Sequence, residues 1–237
     1  MSTLQFRDRT PQRLASPGSM LLRTGDRLDA ETFIQLYERM PEGFRAELIG
    51  GIVYVALPMT TDHGGSSSDV SFWLGSYRLR TPGVRAFAGA TIRLGSAESP
   101  EPDASLVILP ECGGQASLTG GYIVGAPELV VEVAYSTRAT DLNDKLKAYE
   151  KAGVREYVVV LPQDLAVRWF VNRDNQFIPH LPGDDGLFRS TMFPGLWLDG
   201  EALIRDDLGR LVAVIERGTN TPEHAAFVKE LAAWRLD

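Results

Sequence analysis

The apolar and polar positions in the first third of the chain predict a helix, a hairpin and a second helix. Apolar side chains recur at helical spacing over residues 30–40, after Asp29, whose carboxylate suits a helix N-cap. Two short apolar runs then flank Gly50-Gly51, a dipeptide that favours the tight turn of a β-hairpin. Further apolar and aromatic residues predict a second helix that begins near Ser66 to Ser68.

The middle of the chain predicts the strands of a sheet. Residues 84–94 and 103–109 are two strand candidates separated by a turn-rich, acidic segment. The segment LVVEVAY at 129–135 is apolar on both faces, which is typical of a central strand. A helical pattern over 140–153 and an apolar strand at 156–161 follow directly. This order predicts a βαβ unit with a parallel strand pair and a right-handed crossover.

The last part of the chain adds a hairpin and a helical tail. Residues 165–171 and 175–181 have strand patterns around a polar turn, and 192–198 form a short apolar element. From Glu201 onward, two helical segments are separated by residues 218–224. The hairpin and the parallel pair together predict a mixed sheet.

These elements predict a mixed α/β fold, in which helices flank a mixed β-sheet core. Polar residues with interspersed proline and glycine predict a flexible arm over residues 1–25. We expect one domain over residues 26–200 and a helical C-terminal extension over 201–237. A chain of 237 residues suits one sizeable domain with additions at its ends.

Composition bears on the location and the partners of the protein. The net charge is −7, whereas a dedicated nucleic-acid binder is usually basic. A cluster of metal-binding carboxylates would add to such an acidic total, because the cation then supplies the charge that meets phosphate. No apolar run approaches the ~18–20 residues of a membrane helix, and the N-terminus does not resemble a signal peptide. With Cys112 as the single cysteine, we expect a cytoplasmic protein without an internal disulfide.

Glu132 is an acid within the apolar strand at 129–135. Side chains alternate between the two faces of a strand, and both faces are otherwise apolar here. An ionised carboxylate in such a place needs a cation or hydrogen-bond donors, or it stays protonated. Glu132 is therefore a candidate metal ligand; the alternative is a buried structural acid paired with an arginine.

Lys145 is distinguished from its neighbours by helical phase. The helix predicted after Glu132 has an apolar stripe, formed by Leu142, Leu146, Tyr149 and Ala152. At about 100° per residue, Lys145 points into this stripe, whereas Lys147 and Lys151 point to the polar side. We therefore expect Lys145 to face the sheet that carries Glu132; the alternative is a lysine at the edge of the stripe whose ammonium reaches solvent.

Three further residues could complete a site. Asp103 follows Pro102 and opens a strand, so Asp103 and Glu132 at adjacent strand ends would form an oxygen site suited to Mg²⁺ or Mn²⁺. Taken alone, Asp103 is more often a turn or capping residue. Glu47 in the first hairpin is either a further ligand or an exposed strand acid. His63 could contact phosphate or transfer a proton, although loop histidines are mostly structural.

In this order, these residues resemble the Uma-two family of putative restriction endonucleases, a branch of the PD-(D/E)XK nucleases. The resemblance covers about residues 30–200. Its carriers are AELIGGIVY with Glu47, the downstream His63, EPDASLV with Asp103, GAPELVVEV with Glu132, STRATDLNDKLKAY with Lys145, and GVREYVVV. Together these segments are specific, whereas each one alone is weak.

The resemblance implies a restriction-endonuclease-like fold and the hydrolysis of DNA phosphodiester bonds. It implies that Asp103 and Glu132 hold Mg²⁺ or Mn²⁺, with Glu47 as an outer ligand and His63 as a supporting residue. Lys145 would then activate the attacking water and stabilise charge on phosphorus. A homodimer is compatible with double-strand cleavage.

The sequence departs from the parent nuclease pattern at two positions. Ala134 stands where that pattern has a lysine, and in the Uma-two branch Lys145 on the following helix takes its place. Leu161 stands where the family more often has an acid before a proline. This departure and the acidic net charge leave open a catalytically inactive nuclease-fold module that binds nucleic acid or a protein partner. A further alternative is an interaction scaffold built on the C-terminal helices, with Trp234 and Phe227 as apolar anchors.

Overall fold

The computed structural model describes residues 21–135 and 137–234. Its helices are, in chain order, α1 (Ala30–Tyr37), α2 (Thr61–Arg80), α3 (Arg138–Leu142), α4 (Asp144–Ala152), α5 (Gly200–Ile204), α6 (Leu208–Thr219) and α7 (Pro222–Ala233). Its strands are β1 (Ala46–Ile49), β2 (Ile52–Val55), β3 (Val84–Ala88), β4 (Ile92–Arg93), β5 (Ala104–Ile108), β6 (Ser117–Thr119), β7 (Tyr122–Val124), β8 (Leu129–Val133), β9 (Glu156–Leu161), β10 (Ala166–Arg173), β11 (Gln176–His180), β12 (Leu187–Arg189) and β13 (Trp197–Asp199). Short 3-10 helices span Pro110–Cys112 and Pro162–Asp164.

Six strands form the main sheet, in the order β11-β10-β9-β8-β5-β3. Strands β8 and β9 pair in parallel, whereas the other neighbours in this sheet pair antiparallel. Both β8 and β9 are buried along their full length, as expected for strands covered on both faces. The structure confirms the mixed α/β class, the central position of the strand at 129–135 and the parallel pair of the βαβ unit.

The side chains of β8 alternate between two apolar cores. Its odd-numbered residues belong to the core that contains Trp73 of α2. Val130 and Ala134 belong to the core that contains Tyr149 of α4, on the opposite face of the sheet. By the same alternation, Glu132 lies on the face that α4 covers.

The N-terminal elements form as the sequence predicts. The carboxylate of Asp29 accepts a hydrogen bond from the N–H of Thr32 at 2.9 Å and caps α1. Strands β1 and β2 pair as a hairpin whose turn residues Gly50 and Gly51 have φ values of 58° and 72°. Because both turn residues are left-handed, the two glycines fit this tight turn without strain.

Two predicted helices have different boundaries in the structure. The N-cap of α2 is Thr60, whose hydroxyl accepts the N–H of His63 at 3.3 Å, so the helix does not begin near Ser66. The imidazole of His63 therefore comes from the first turn of α2 rather than from a loop. The helix predicted over 140–153 is divided into α3 and α4, because the backbone leaves helical values at Asn143 (φ −128°, ψ −71°).

The strand predicted over residues 84–94 is divided between two sheets. Strand β3 joins the main sheet, whereas β4 belongs to a three-stranded sheet in the order β4-β7-β6. Gly89 lies between β3 and β4 with φ 58°, a left-handed conformation that turns the chain there. Strands β6 and β7 were not predicted, because three residues each are too few to establish alternation.

The C-terminal residues form three helices, α5 to α7, rather than the two predicted. Leu211 and Ile215 of α6 are buried in the same core as α2, and so are Phe227 and Leu231 of α7. Trp234, which follows α7, is largely exposed. The extension thus packs on the domain and contributes to its core.

The predicted N-terminal arm lies mostly outside the described residues, which begin at Leu21. Leu22, near the end of the arm, is buried in a third apolar core with Phe33 of α1. No helix in the described part of the chain is long and apolar enough to cross a membrane.

Candidate functional site

Three carboxyl groups surround the ammonium of Lys145 in the protein interior. Nζ of Lys145 lies 2.9 Å from Oε2 of Glu47 and 3.0 Å from Oε1 of Glu132. Oδ1 of Asp141 lies 3.6 Å from the same nitrogen. The side chain of Lys145 is only 4% exposed, so these four residues, here named the Lys145 cluster, form a buried charge cluster rather than a surface ion pair.

The members of the Lys145 cluster come from four different elements. Glu47 lies on β1, Glu132 on β8, Asp141 on α3 and Lys145 on α4. The crossover between β8 and β9 lays α3 and α4 over the sheet, and the first hairpin contacts α4 through β1. The cluster therefore depends on tertiary packing and not on one local motif.

The helical phase of α4 brings Lys145 to the sheet. The hydroxyl of Tyr149, one turn further along α4, donates a hydrogen bond to Oε1 of Glu132 at 2.9 Å. Lys147 and Lys151 are exposed on the opposite side of the helix. The structure thus confirms that Lys145 is the lysine of this helix that faces Glu132.

Burial and charge act in opposite directions on Glu132 and Lys145. Burial raises the pKa of the Glu132 carboxyl well above its usual value, although the ammonium of Lys145 opposes this shift. Burial lowers the pKa of Lys145, but the carboxylates of Glu132, Glu47 and Asp141 outweigh burial and hold that pKa above its usual value. Lys145 therefore stays charged at neutral pH.

Asp103 lies beside the Lys145 cluster on the neighbouring strand. Strands β5 and β8 pair antiparallel with Ala104 opposite Val131. One further step of this register places Asp103, the residue before β5, opposite Glu132. The structure brings the two acids onto adjacent strand ends, as the sequence suggested, while their catalytic role stays a prediction.

The carboxylate of Asp103 is held by hydrogen bonds on both oxygens. Oδ1 accepts from the hydroxyl of Ser67 at 3.0 Å and lies 3.0 Å from Nε2 of His63. Oδ2 accepts from the backbone N–H of Val133 at 2.8 Å. Burial raises the pKa of Asp103, but these hydrogen bonds outweigh burial and lower the pKa below its usual value. Asp103 is thus an ionised, oriented carboxylate.

His63 links the start of α2 to Asp103. Its hydrogen bond with Asp103 raises the pKa of the imidazole, while burial opposes the shift. The ring stacks on Tyr135 with centroids 5.6 Å apart, and the hydroxyl of Tyr135 lies 3.0 Å from Oγ of Ser66. The imidazole is therefore oriented by contacts on two sides, which sequence reasoning did not indicate.

Glu47 is a member of the cluster and not an exposed strand acid. Its side chain is 17% exposed, and Oε2 accepts the backbone N–H of Glu101 at 3.3 Å in addition to the contact with Lys145. Glu101 itself pairs with Nε of Arg45 at 2.6 Å. The first hairpin is thus connected to the site through both of these acids.

Asp141 is a buried acid that sequence reasoning did not single out. Its side chain is 1% exposed, and neither carboxylate oxygen has a hydrogen-bond partner among the described residues. Burial raises its pKa, whereas the ammonium of Lys145 and the nearby side chain of Thr137 oppose the shift. The signal available in the sequence was its spacing, because Asp141 precedes Lys145 by four residues, one helical turn.

The carboxylates of this region are suitable ligands for a hard divalent cation, but in the structure three of them surround the ammonium of Lys145. Carboxylates such as those of Asp103, Glu132 and Glu47 are typical ligands of Mg²⁺ and Mn²⁺. Within residues 21–135 and 137–234, no three acidic, histidine or cysteine side chains stand ready as a metal centre. Three carboxyl groups face one ammonium, however, so their negative charge is not fully compensated. The residues therefore fit such an ion if the carboxylates that contact Lys145 also bind the cation.

The region that carries this site matches a known family. The model of the Uma2 family, described as "Putative restriction endonuclease", matches residues 30–201. The chain belongs to the Uma2 family. The membership confirms the resemblance drawn from the sequence motifs and supports a nuclease function. Among curated proteins, none matches the chain.

A solved structure shows the same fold. A crystal structure described as a putative nuclease belonging to DUF820, from Anabaena variabilis, superposes with a TM-score of 0.53 at 18% identity. The alignment covers 72% of this chain and 98% of that one. The likeness shows that the two proteins share a fold. In this Uma2 chain, Lys145 reaches Glu132 from α4.

Proposed function

We propose that this Uma2 protein is a metal-dependent endonuclease that hydrolyses DNA phosphodiester bonds. The observation that carries the proposal is the buried meeting of Glu132 with Lys145 beside Asp103 on the adjacent strand. Two carboxylates at the ends of adjacent strands and a lysine on the helix above them are groups that can serve metal-assisted phosphodiester hydrolysis. Family membership supports the same reaction class.

Lys145, Asp103 and His63 have different roles in the proposed reaction. Lys145, held as an ammonium, can donate hydrogen bonds to a water molecule or to a phosphate oxygen, and its charge favours the extra negative charge of the transition state. Asp103 stays ionised because its oxygens accept three close contacts, so it can hold a cation in a fixed direction. His63, hydrogen-bonded to Asp103, supports that orientation.

Asp103 and Glu132, with Glu47 as an outer ligand, are the residues that would hold Mg²⁺ or Mn²⁺. When bound, the cation supplies positive charge that neutralises the phosphate and acidifies water. Glu132 has the strongest need for such a partner, because burial otherwise favours its protonated form. Cleavage of both strands of a duplex would be served by a homodimer with two such sites.

Two features of the chain favour a second function. The ammonium of Lys145 already contacts Glu47 and Glu132, and Leu161 is apolar where the family resemblance implies an acid. A nuclease-fold module that binds nucleic acid or a protein partner without cutting would have these properties. DNA retention without cleavage would identify it.

The test is cleavage of supercoiled plasmid and linear DNA in Mg²⁺ or Mn²⁺. We expect the wild type to cut, and Glu132→Gln and Lys145→Met to lose at least about a hundredfold in rate, since each removes a group proposed to act on the phosphate or its cation. Lys147→Met, at an exposed position of the same helix, is the matched control and should cut at the wild-type rate. A wild type that cuts nothing, or variants that cut equally well, would refute the endonuclease.

A further inference from the structure

Asp141 is buried without the partners that a buried carboxylate normally has. Its side chain is 1% exposed, and neither oxygen has a hydrogen-bond donor among the described residues. Its nearest charged group is Nζ of Lys145 at 3.6 Å, beyond hydrogen-bond range. Buried polar groups are almost always hydrogen-bonded, so an exception of this kind points to a role other than packing.

The neighbours of Asp141 do not satisfy its oxygens. Glu47 and Glu132 take the two close contacts of Lys145, at 2.9 and 3.0 Å. The hydroxyl of Tyr157 donates to the backbone carbonyl of Asp141 at 2.9 Å and not to its side chain. The backbone of Asp141 is therefore fixed, while its carboxylate has only the long contact with Lys145 and the nearby side chain of Thr137, and neither meets hydrogen-bond geometry.

We propose that Asp141 is a further ligand of the divalent cation, supplied by α3 together with the strand acids Glu132 and Asp103. The unpaired, buried oxygens are a donor set for a hard cation, which prefers carboxylate oxygen. The inference rests on the proposed metal dependence. It adds a ligand from a helix to the ligands that the strands provide. It also explains why a buried acid stands one helical turn before Lys145.

A structural role for Asp141 predicts different behaviour from a ligand role. If Asp141 served only to hold Lys145, its removal would destabilise the fold. If Asp141 is a ligand, it destabilises the fold in the absence of a cation, because three acids then share one ammonium. Asp141→Asn should therefore unfold at the same temperature as the wild type or higher in a chelator, while its affinity for the cation falls.

The experiment is calorimetric titration of the purified full-length protein with Mn²⁺, together with thermal unfolding in EDTA. The variants are Asp141→Asn, Glu132→Gln as a variant of a proposed strand ligand, and Asp144→Asn as the matched control. Asp144 lies at the exposed start of α4, so the same chemical change there leaves the cluster intact. The readout is affinity, which does not depend on cleavage.

We expect Asp141→Asn to bind Mn²⁺ at least roughly tenfold more weakly than the wild type, with Asp144→Asn unchanged. If Glu132→Gln weakens binding and Asp141→Asn does not, the inference is overturned while the proposed function stands. If the wild type binds no Mn²⁺, the proposed metal dependence fails, and the inference fails with it. A lower unfolding temperature of Asp141→Asn in EDTA would assign Asp141 a structural role and also overturn the inference.

Discussion

Three carboxyl groups share one ammonium around Nζ of Lys145, and all four side chains are mostly shielded from water. Breaking a buried ion pair by removing one partner costs about 3–5 kcal/mol, because the other charge is left uncompensated. Lys145 compensates several acids at once. Its charge is thus tied to the stability of the fold as well as to the proposed chemistry.

Lys145→Met should therefore lower the thermal unfolding temperature in EDTA, by an amount that corresponds to about 3–5 kcal/mol. Mn²⁺ should raise the temperature of this variant more than that of the wild type, because the cation takes over the compensation of Glu47, Glu132 and Asp141. Lys147→Met on the exposed side of α4 is the control. An equal Mn²⁺ effect on the wild type and on Lys145→Met would contradict this account.

At the residue scale, the sequence could identify Glu132 and Lys145 because each broke a periodic pattern. Glu132 is an acid in an alternation that is otherwise apolar, and Lys145 falls within an apolar helical stripe. Asp141 broke no pattern. It lies before Asn143, where the backbone leaves helical values, so its orientation relative to Lys145 depends on an interruption that periodicity does not encode.

At the element scale, α7 is attached to the domain through His224. Nε2 of His224 lies 2.9 Å from the hydroxyl of Thr81 at the end of α2, and the ring packs against the edge of Tyr77. Burial lowers the pKa of His224 below its usual 6.5. The folded protein therefore favours the neutral imidazole, and protonation opposes the docking of α7.

The sign of the pH dependence follows from that lowered pKa. As the pH falls below about 6.5, the unfolded chain binds a proton at His224 before the folded protein does, so stability is lost on acidification. His224→Gln should show a smaller fall in urea midpoint between pH 7.5 and pH 5.5. Identical falls in the variant and the wild type would show that His224 is not responsible.

The elements themselves were predictable to different extents. The hairpin at Gly50-Gly51 and the parallel pair of β8 and β9 follow from turn chemistry and from the strand–helix–strand order. The sheet of β4, β7 and β6 could not be predicted, because its strands have two or three residues and are defined by pairing across the chain. Helix α2 begins earlier than predicted because Thr60 caps it ahead of a run of glycine and serine residues.

At the scale of the whole molecule, the site depends on distant parts of the chain. The adjacency of β5 and β8, which brings Asp103 opposite Glu132, is a property of the sheet order and not of either segment. Leu211 and Ile215 of α6 are buried in the core on the face of the main sheet opposite to α4. The C-terminal helices are therefore part of the folded domain. The sequence suggested that the two acids lie at adjacent strand ends, but the pairing of β5 with β8 that brings them there could not be derived from either segment alone.

Asp103 and Glu132 are expected to act together in one site. The most direct test of this expectation is the rate of plasmid cleavage in Mg²⁺ for the wild type, Asp103→Asn, Glu132→Gln and the double variant. Groups that act as a unit have strongly non-additive effects, so each single variant should lose nearly as much rate as the double variant. Independent losses that multiply in the double variant, or single variants that cut like the wild type, would contradict it.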